Sequence, residues 1–294
     1  MSHCPSDTRW ELLARVRPSR GGGISATADP PPRYRRGVLT RSGAEITFDG
    51  AVVTKLHRPA TSPRALRCRL ELAAQLPGIA AAPLSVTPEA VDGRWLSRWP
   101  RLDTVDPDPD RLPWAQAGDL LARLHAAPAR ARVVHGWPDR MRRSVERLRV
   151  TGATDNGAAA PARRAAAQLP DRIWRAGSAD RPKTLVHGDF HLGQLGRHSP
   201  AEPWLLIDVD DLGVGDPAWD LARPAGLWAA GHIPDADWAA FLAAYRAAGG
   251  AALDGVADDP WPVLEPFARA AVVAAAAAHP DDPLLSSACV RMVR

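Results

Sequence analysis

The chain predicts an α+β protein in two unequal parts. A small antiparallel sheet with one helix occupies residues 33–100, and a larger, mainly helical part occupies residues 101–294. Three observations predict this division. Short β-branched and apolar runs separated by glycine turns fill 38–57 and 84–99. From residue 114 the apolar positions take helical spacing, interrupted by two short apolar runs at Leu185–Val186 and Leu205–Ile207. A length of 294 residues with 46% apolar content is enough for one large core or two small ones.

Taken in order, residues 1–32 are rich in Arg, Gly, Pro and Ser and end in Asp29-Pro30-Pro31-Pro32. That composition suits a flexible arm with at most one short helix near Trp10–Val16. Residues 38–57 then predict two or three antiparallel strands turning near Ser42-Gly43 and Asp49-Gly50. Arg64–Leu76 reads as a helix stopped by Pro77-Gly78, with strands to follow at Leu84–Thr87 and Arg94–Trp99. The Pro- and Asp-rich stretch 100–113 is the expected hinge. Helices are predicted at 114–127, 139–150, 161–177, 217–230, 236–248 and 261–278, with a short one near 284–292 and a loop at 151–160. The two strands carrying Val186 and Ile207 are expected to pair like a hairpin and bring the residues after them to one end.

Composition narrows the classes of function. The three cysteines, Cys4, Cys68 and Cys289, are odd in number and far apart, which argues against a disulfide framework and for a reducing, cytoplasmic setting. Neither a membrane-spanning run nor an apolar signal core is present in the sequence. Net charge is +4 but uneven: residues 1–200 carry +13 and residues 201–294 carry −9. The basic part suits nucleotide phosphates, and the acidic part either attracts a cationic substrate or simply marks helix starts. The basic residues are dispersed without interleaved aromatics, so no nucleic-acid partner is expected. Oligomeric state has no signature.

The chemistry concentrates in Leu185-Val186-His187-Gly188-Asp189-Phe190-His191-Leu192-Gly193-Gln194 and in Leu205-Leu206-Ile207-Asp208. An acid follows one apolar strand, a side-chain oxygen comes five residues later, and a second acid ends another apolar strand. Phosphoryl transfer needs this set: one carboxylate to orient the attacking hydroxyl, and two oxygen ligands to hold Mg²⁺ against nucleotide phosphates. The catalytic loop of protein kinases spaces its Asp and Asn by the same five residues. Asp189 is therefore the catalytic candidate, and Gln194 and Asp208 are the metal-ligand candidates. Gln194 stands where asparagine is usual; its amide oxygen still suits a hard cation, displaced by about a bond length. Asp210 and Asp211 share the loop and read as solvated or loop-bracing.

With Gly215-Asp216-Pro217-Ala218-Trp219-Asp220-Leu221-Ala222 added, the pattern resembles the aminoglycoside phosphotransferase and choline kinase-like family of small-molecule kinases. The resemblance is dense over 185–222 and looser over 38–128. It implies a two-lobed, protein kinase-like fold with ATP in the cleft, and an Asp220 that braces the catalytic loop through backbone hydrogen bonds. His-Leu-Gly-Gln resembles the form in maltokinases and related sugar kinases, which implies a sugar or amino-sugar acceptor.

Arginine outnumbers lysine 35 to 2, so each lysine invites a question. Lys55 lies in the strand-like Ala51-Val52-Val53-Thr54-Lys55-Leu56-His57, where a kinase carries the lysine that reaches the α- and β-phosphates. Glu71, on the following helix, is the natural residue to hold it. A phosphate-covering loop is weakly marked, with Ser42 and Gly43 the candidates and Gly21-Gly22-Gly23 too far upstream. His187 reads as structural and His191 as a cleft-facing loop residue. Trp137, Trp228, Trp238 and Trp261 read as core or as a sugar-stacking platform. Asp235, Asp237, Asp258, Asp259 and Glu265 are the acidic candidates for substrate amines. The expected activity is ATP- and Mg²⁺-dependent phosphorylation of an aminoglycoside or amino sugar. A neutral-sugar kinase and a nucleotide-binding pseudokinase are the alternatives.

Overall fold

The computed structural model describes residues 36–40, 43–106, 108, 112–128, 133–150 and 157–293. The expected arm, Cys4 and Ser42 lie outside these residues. Cys68 and Cys289 are free thiols.

The first part is a five-stranded antiparallel sheet in the order β1-β2-β3-β5-β4. Its strands are β1 (Arg36–Leu39), β2 (Glu45–Asp49), β3 (Val52–Leu56), β4 (Glu89–Val91) and β5 (Arg94–Pro100). Helix α1 (Pro63–Ala74) follows β3; the Ser62 hydroxyl accepts from the Ala65 N–H at 3.4 Å and Pro63 opens the first turn. The expected strand at Leu84–Thr87 does not form. The Ser85 hydroxyl accepts from the Thr87 N–H at 3.1 Å, a local turn that competes with pairing. The strand forms five residues later, where Asp92 and Gly93 (φ 48° and 74°) give the left-handed two-residue turn that joins β4 to β5.

The second part contains α2 (Trp114–Ala126), α3 (Trp137–Val150), α4 (Ala160–Ala167), α5 (Ala218–Ala230), α6 (Asp235–Ala247), α7 (Trp261–Ala278) and α8 (Pro283–Arg291). The helix expected over 161–177 ends at Ala167, because Pro170 cannot continue it, and a 3₁₀ turn at Asp171–Trp174 follows. Helix α5 packs on α7 and α2 on α6. Between them Trp137 stacks on Trp219 at 5.0 Å, and Trp219 meets Phe267 edge-on at 5.0 Å. Leu121, Phe190 and Phe241 are wholly buried there, each contributing about 2 kcal/mol by leaving water. No described helix is long and apolar enough to cross a membrane.

Short strands cross the helical part between α4 and α5: β7 (Thr184–Val186), β8 (Leu195–Arg197), β9 (Leu205–Leu206) and β10 (Gly213–Gly215). The strands before Asp189 and Asp208 do not pair with each other, contrary to the hairpin expectation. β7 pairs with β10, and β9 pairs with β8, which in turn pairs with β6 (Asp103–Thr104). A side chain joins the two ribbons: His187 Nε2 donates to the Ile207 carbonyl at 2.8 Å. The fold is thus α+β and two-lobed, as expected.

Candidate active site

The loop after β7 is fixed from below by one buried carboxylate. Asp220, in the first turn of α5, accepts from the His187 N–H at 2.6 Å and the Gly188 N–H at 2.9 Å. His125 Nε2 lies 3.1 Å from the same carboxylate, and its Nδ1 lies 2.7 Å from the Tyr245 hydroxyl. That hydroxyl also accepts from the Ala252 N–H at 2.9 Å. Burial opposes ionisation of Asp220, but the His125 bond, nearby imidazoles and the Gly188 N–H outweigh it and hold the carboxyl below its usual range. Gly188 has φ +82° and lies against the Asp211 carbonyl, so no side chain fits there.

Asp189 follows with 7% exposure, and both its oxygens meet guanidinium groups. Arg223 Nη2 donates to Oδ1 at 2.7 Å, and Arg140 Nη2 lies 2.8 Å from Oδ2. Arg140 bridges on to Asp211. Both guanidiniums stand over the Trp137 ring, at 5.9 Å for Arg140 and 5.8 Å for Arg223. Arg223 lies one turn after Asp220 on α5, so one helix face supports the loop backbone and orients its carboxylate.

Gln194 is buried in a 3₁₀ turn whose N-terminal cap is His191; His191 Nδ1 accepts from the Gly193 N–H at 3.1 Å. The Gln194 carbonyl accepts from the Ile207 N–H at 2.9 Å, which sets Gln194 beside the residue preceding Asp208. Asp208 itself takes a left-handed backbone, φ 58° and ψ 64°. Uncommon outside glycine, this conformation is most accessible to Asn and Asp and recurs at functional sites.

Across the cleft, Lys55 extends from β3 to the metal-candidate loop. Its Nζ donates to Asp208 Oδ1 at 2.6 Å and lies 2.8 Å from Asp210 Oδ2. Burial disfavours the ammonium, but these carboxylates outweigh it and raise its pKa. Glu71 does not hold Lys55. It accepts from Arg67 Nε at 2.9 Å on the exposed face of α1. Arg69, also on α1, reaches the second lobe and donates to the Leu212 carbonyl at 3.0 Å. Gly43 also departs from its expected role: its N–H is taken by the Thr40 carbonyl at 3.0 Å, which leaves it no donor for phosphate.

The acidic residues expected to meet substrate amines are largely engaged at helix starts. Asp235 accepts from Trp228 Nε1 at 2.8 Å, Asp259 accepts from the Trp261 N–H at 2.9 Å, and Glu265 pairs with Arg269 at 3.3 Å. Trp137 and Trp238 lie in the core, with Trp238 stacked on Trp228 at 5.4 Å. The sequence reading missed Arg140, Arg223 and His57. Arg223 had a signal, its place three residues after Asp220; Arg140 had none.

A family model described as the phosphotransferase enzyme family matches residues 40–266. A curated glucosamine kinase from Streptacidiphilus jiangxiensis is 34% identical over 145 residues, covering 46% of this chain. The chain spans about a third (32%) of that relative's length. Among solved structures, an aminoglycoside phosphotransferase from Streptomyces rimosus is similar with TM-score 0.53 and 20% identity, covering 80% of this chain and 92% of that one. Choline kinase LicA from Streptococcus pneumoniae gives TM-score 0.56 at 15% identity, covering 88% and 91%. These likenesses show the kinase-like fold.

Proposed function

Because this chain belongs to the phosphotransferase enzyme family, we propose that it transfers a phosphoryl group to a hydroxyl acceptor, with ATP as its donor, Mg²⁺ as its metal and an amino sugar of glucosamine size as the acceptor. One observation carries the reading. Lys55 from one lobe meets Asp208 from the other, and the backbone beside Asp208 is bonded at Ile207 both to Gln194 and to His187 of the Asp189 loop, a neighbourhood that supports metal-assisted phosphoryl transfer.

In this reading Lys55 would hold the α- and β-phosphates, while Gln194 and Asp208 would hold the metal, whose charge would offset that of the phosphates. Among the described residues no three His, Cys, Asp or Glu side chains group as a metal site. One carboxylate and one amide oxygen form the partial, hard-donor set that Mg²⁺ takes when phosphates and water complete its shell. Asp189, clamped by Arg140 and Arg223, orients the acceptor hydroxyl.

The same clamp bears on the acceptor. The Arg140 and Arg223 charges are matched by Asp189 and Asp211, so the clamp offers no net negative charge to a polycation, and Asp235, Asp259 and Glu265, expected to attract one, are engaged elsewhere. An aminoglycoside is therefore less favoured than a sugar with one amine. A neutral sugar is the second reading, which the engagement of Asp235, Asp259 and Glu265 favours. The test is ATP consumption with Mg²⁺ against glucosamine, glucose, maltose and aminoglycosides, with Asp189→Asn alongside. Turnover should be highest with glucosamine and fall about 10³-fold in the variant. Turnover confined to aminoglycosides would overturn the acceptor assignment, and undiminished turnover in Asp189→Asn would overturn the catalytic one.

A further inference from the structure

Kinase chemistry requires that the phosphate-binding lysine be held in place, and here the expected helix glutamate is elsewhere. Lys55 instead meets two carboxylates of one loop. Asp208 is the proposed metal ligand, and a carboxylate whose charge is shared with a metal is a weaker partner for an ammonium. Asp210 is the second carboxylate on the lysine, and it alone of the two also faces the sheet. Its Oδ2 lies 2.8 Å from Lys55 Nζ, and its Oδ1 lies 3.3 Å from His57 Nδ1.

His57 is wholly buried, two residues after Lys55 on the same side of the chain. Its Nε2 lies 2.8 Å from the Ser97 hydroxyl, and Ser97 stands opposite Lys55 on β5. Trp99 Nε1 donates to that hydroxyl at 2.9 Å. A consistent proton assignment follows: Trp99 donates to Ser97, Ser97 donates to His57 Nε2, and His57 Nδ1–H faces Asp210. Asp210 thus faces the sheet's imidazole with one oxygen and the Lys55 ammonium with the other.

We propose that Asp210, backed by His57 and Ser97, is the residue that positions Lys55 for the donor phosphates, in place of a glutamate on α1. The inference rests on the kinase reading of Lys55. It places the control of the lysine in the closure of the two lobes, since Lys55 and His57 lie on the sheet and Asp210 on the opposite loop.

The test is equilibrium binding of MgADP without acceptor, followed by steady-state kinetics, on wild type, Asp210→Asn, Ser97→Ala and Glu71→Gln. Asp210→Asn should weaken MgADP binding about tenfold and raise KM for ATP in parallel, with KM for the acceptor unchanged. Ser97→Ala should move the same parameters by a smaller factor, and it keeps the test decisive if Asp210→Asn does not fold. Glu71→Gln should stay within twofold of wild type. Nucleotide affinity unchanged in Asp210→Asn, or lost equally in Glu71→Gln, would overturn the inference while leaving the kinase reading intact. Wild type that fails to bind MgADP would overturn both.

Discussion

Replacing Asp220 with alanine should cost far more than a typical single substitution, and the reason can be counted in bonds. The carboxylate is wholly buried and takes the His187 and Gly188 N–H groups at 2.6 and 2.9 Å, with His125 at 3.1 Å. Alanine leaves these without their partner in a region water does not reach. Each buried donor so stranded costs about 1–3 kcal/mol. Removing the carboxylate also recovers its own desolvation penalty, which offsets part of the sum, so the net loss should be about 3–5 kcal/mol. That is a large share of the roughly 5–15 kcal/mol that holds a domain folded. Urea unfolding followed by tryptophan fluorescence reads it directly, as a lower midpoint with an unchanged slope. A loss under about 1 kcal/mol would refute the reasoning, because the loop would then be held by something other than this carboxylate. The same residue sets an acid limit. Its folded pKa is depressed, so its contribution is complete above the unfolded value of about 3.9 and fades as pH falls toward the folded one. Asp220→Asn should flatten that acid limb of the stability profile.

Three further outcomes follow from the same geometry. Gly188→Ala places a methyl group against the Asp211 carbonyl at φ +82° and should cost about 2–3 kcal/mol or abolish soluble expression, read by thermal melting. Tyr245→Phe removes a hydroxyl bonded to His125 and to the Ala252 N–H, and should lower stability by about 1–2 kcal/mol in the same unfolding assay with the core otherwise intact. Gln194→Asn should shift the Mg²⁺ concentration for half-maximal activity while leaving the acceptor KM in place; a Mg²⁺ dependence identical to wild type would remove Gln194 from the metal set.

Much of the candidate site was legible because its residues carry local signals. Asp189 and Asp208 each follow a short apolar strand, and Asp220 opens a helix behind an Asp-Pro start, so spacing along the chain was enough to single them out. The route by which they meet was not legible. Strand pairing depends on register and on partners distant in sequence, and β7 chose β10 while β9 chose β8. The Glu71 expectation failed for a related reason. A helix sequence shows which residues share a face, but not which face turns to the cleft, and here Arg69 docks on Leu212 while Glu71 pairs with Arg67. Arg140 lies 49 positions from Asp189 on a helix rich in arginines, and nothing local distinguishes it from Arg142 or Arg143. Long-range ion pairs leave no periodic trace.

The left-handed backbone at Asp208 has an evolutionary consequence. Most side chains resist φ 58°, whereas asparagine and glycine accept it readily. Asparagine and glycine are therefore the replacements this backbone admits at least structural expense. On the proposed role of Asp208 as metal ligand, asparagine or glycine at this position in a related chain would mark a protein that kept the architecture and gave up the chemistry.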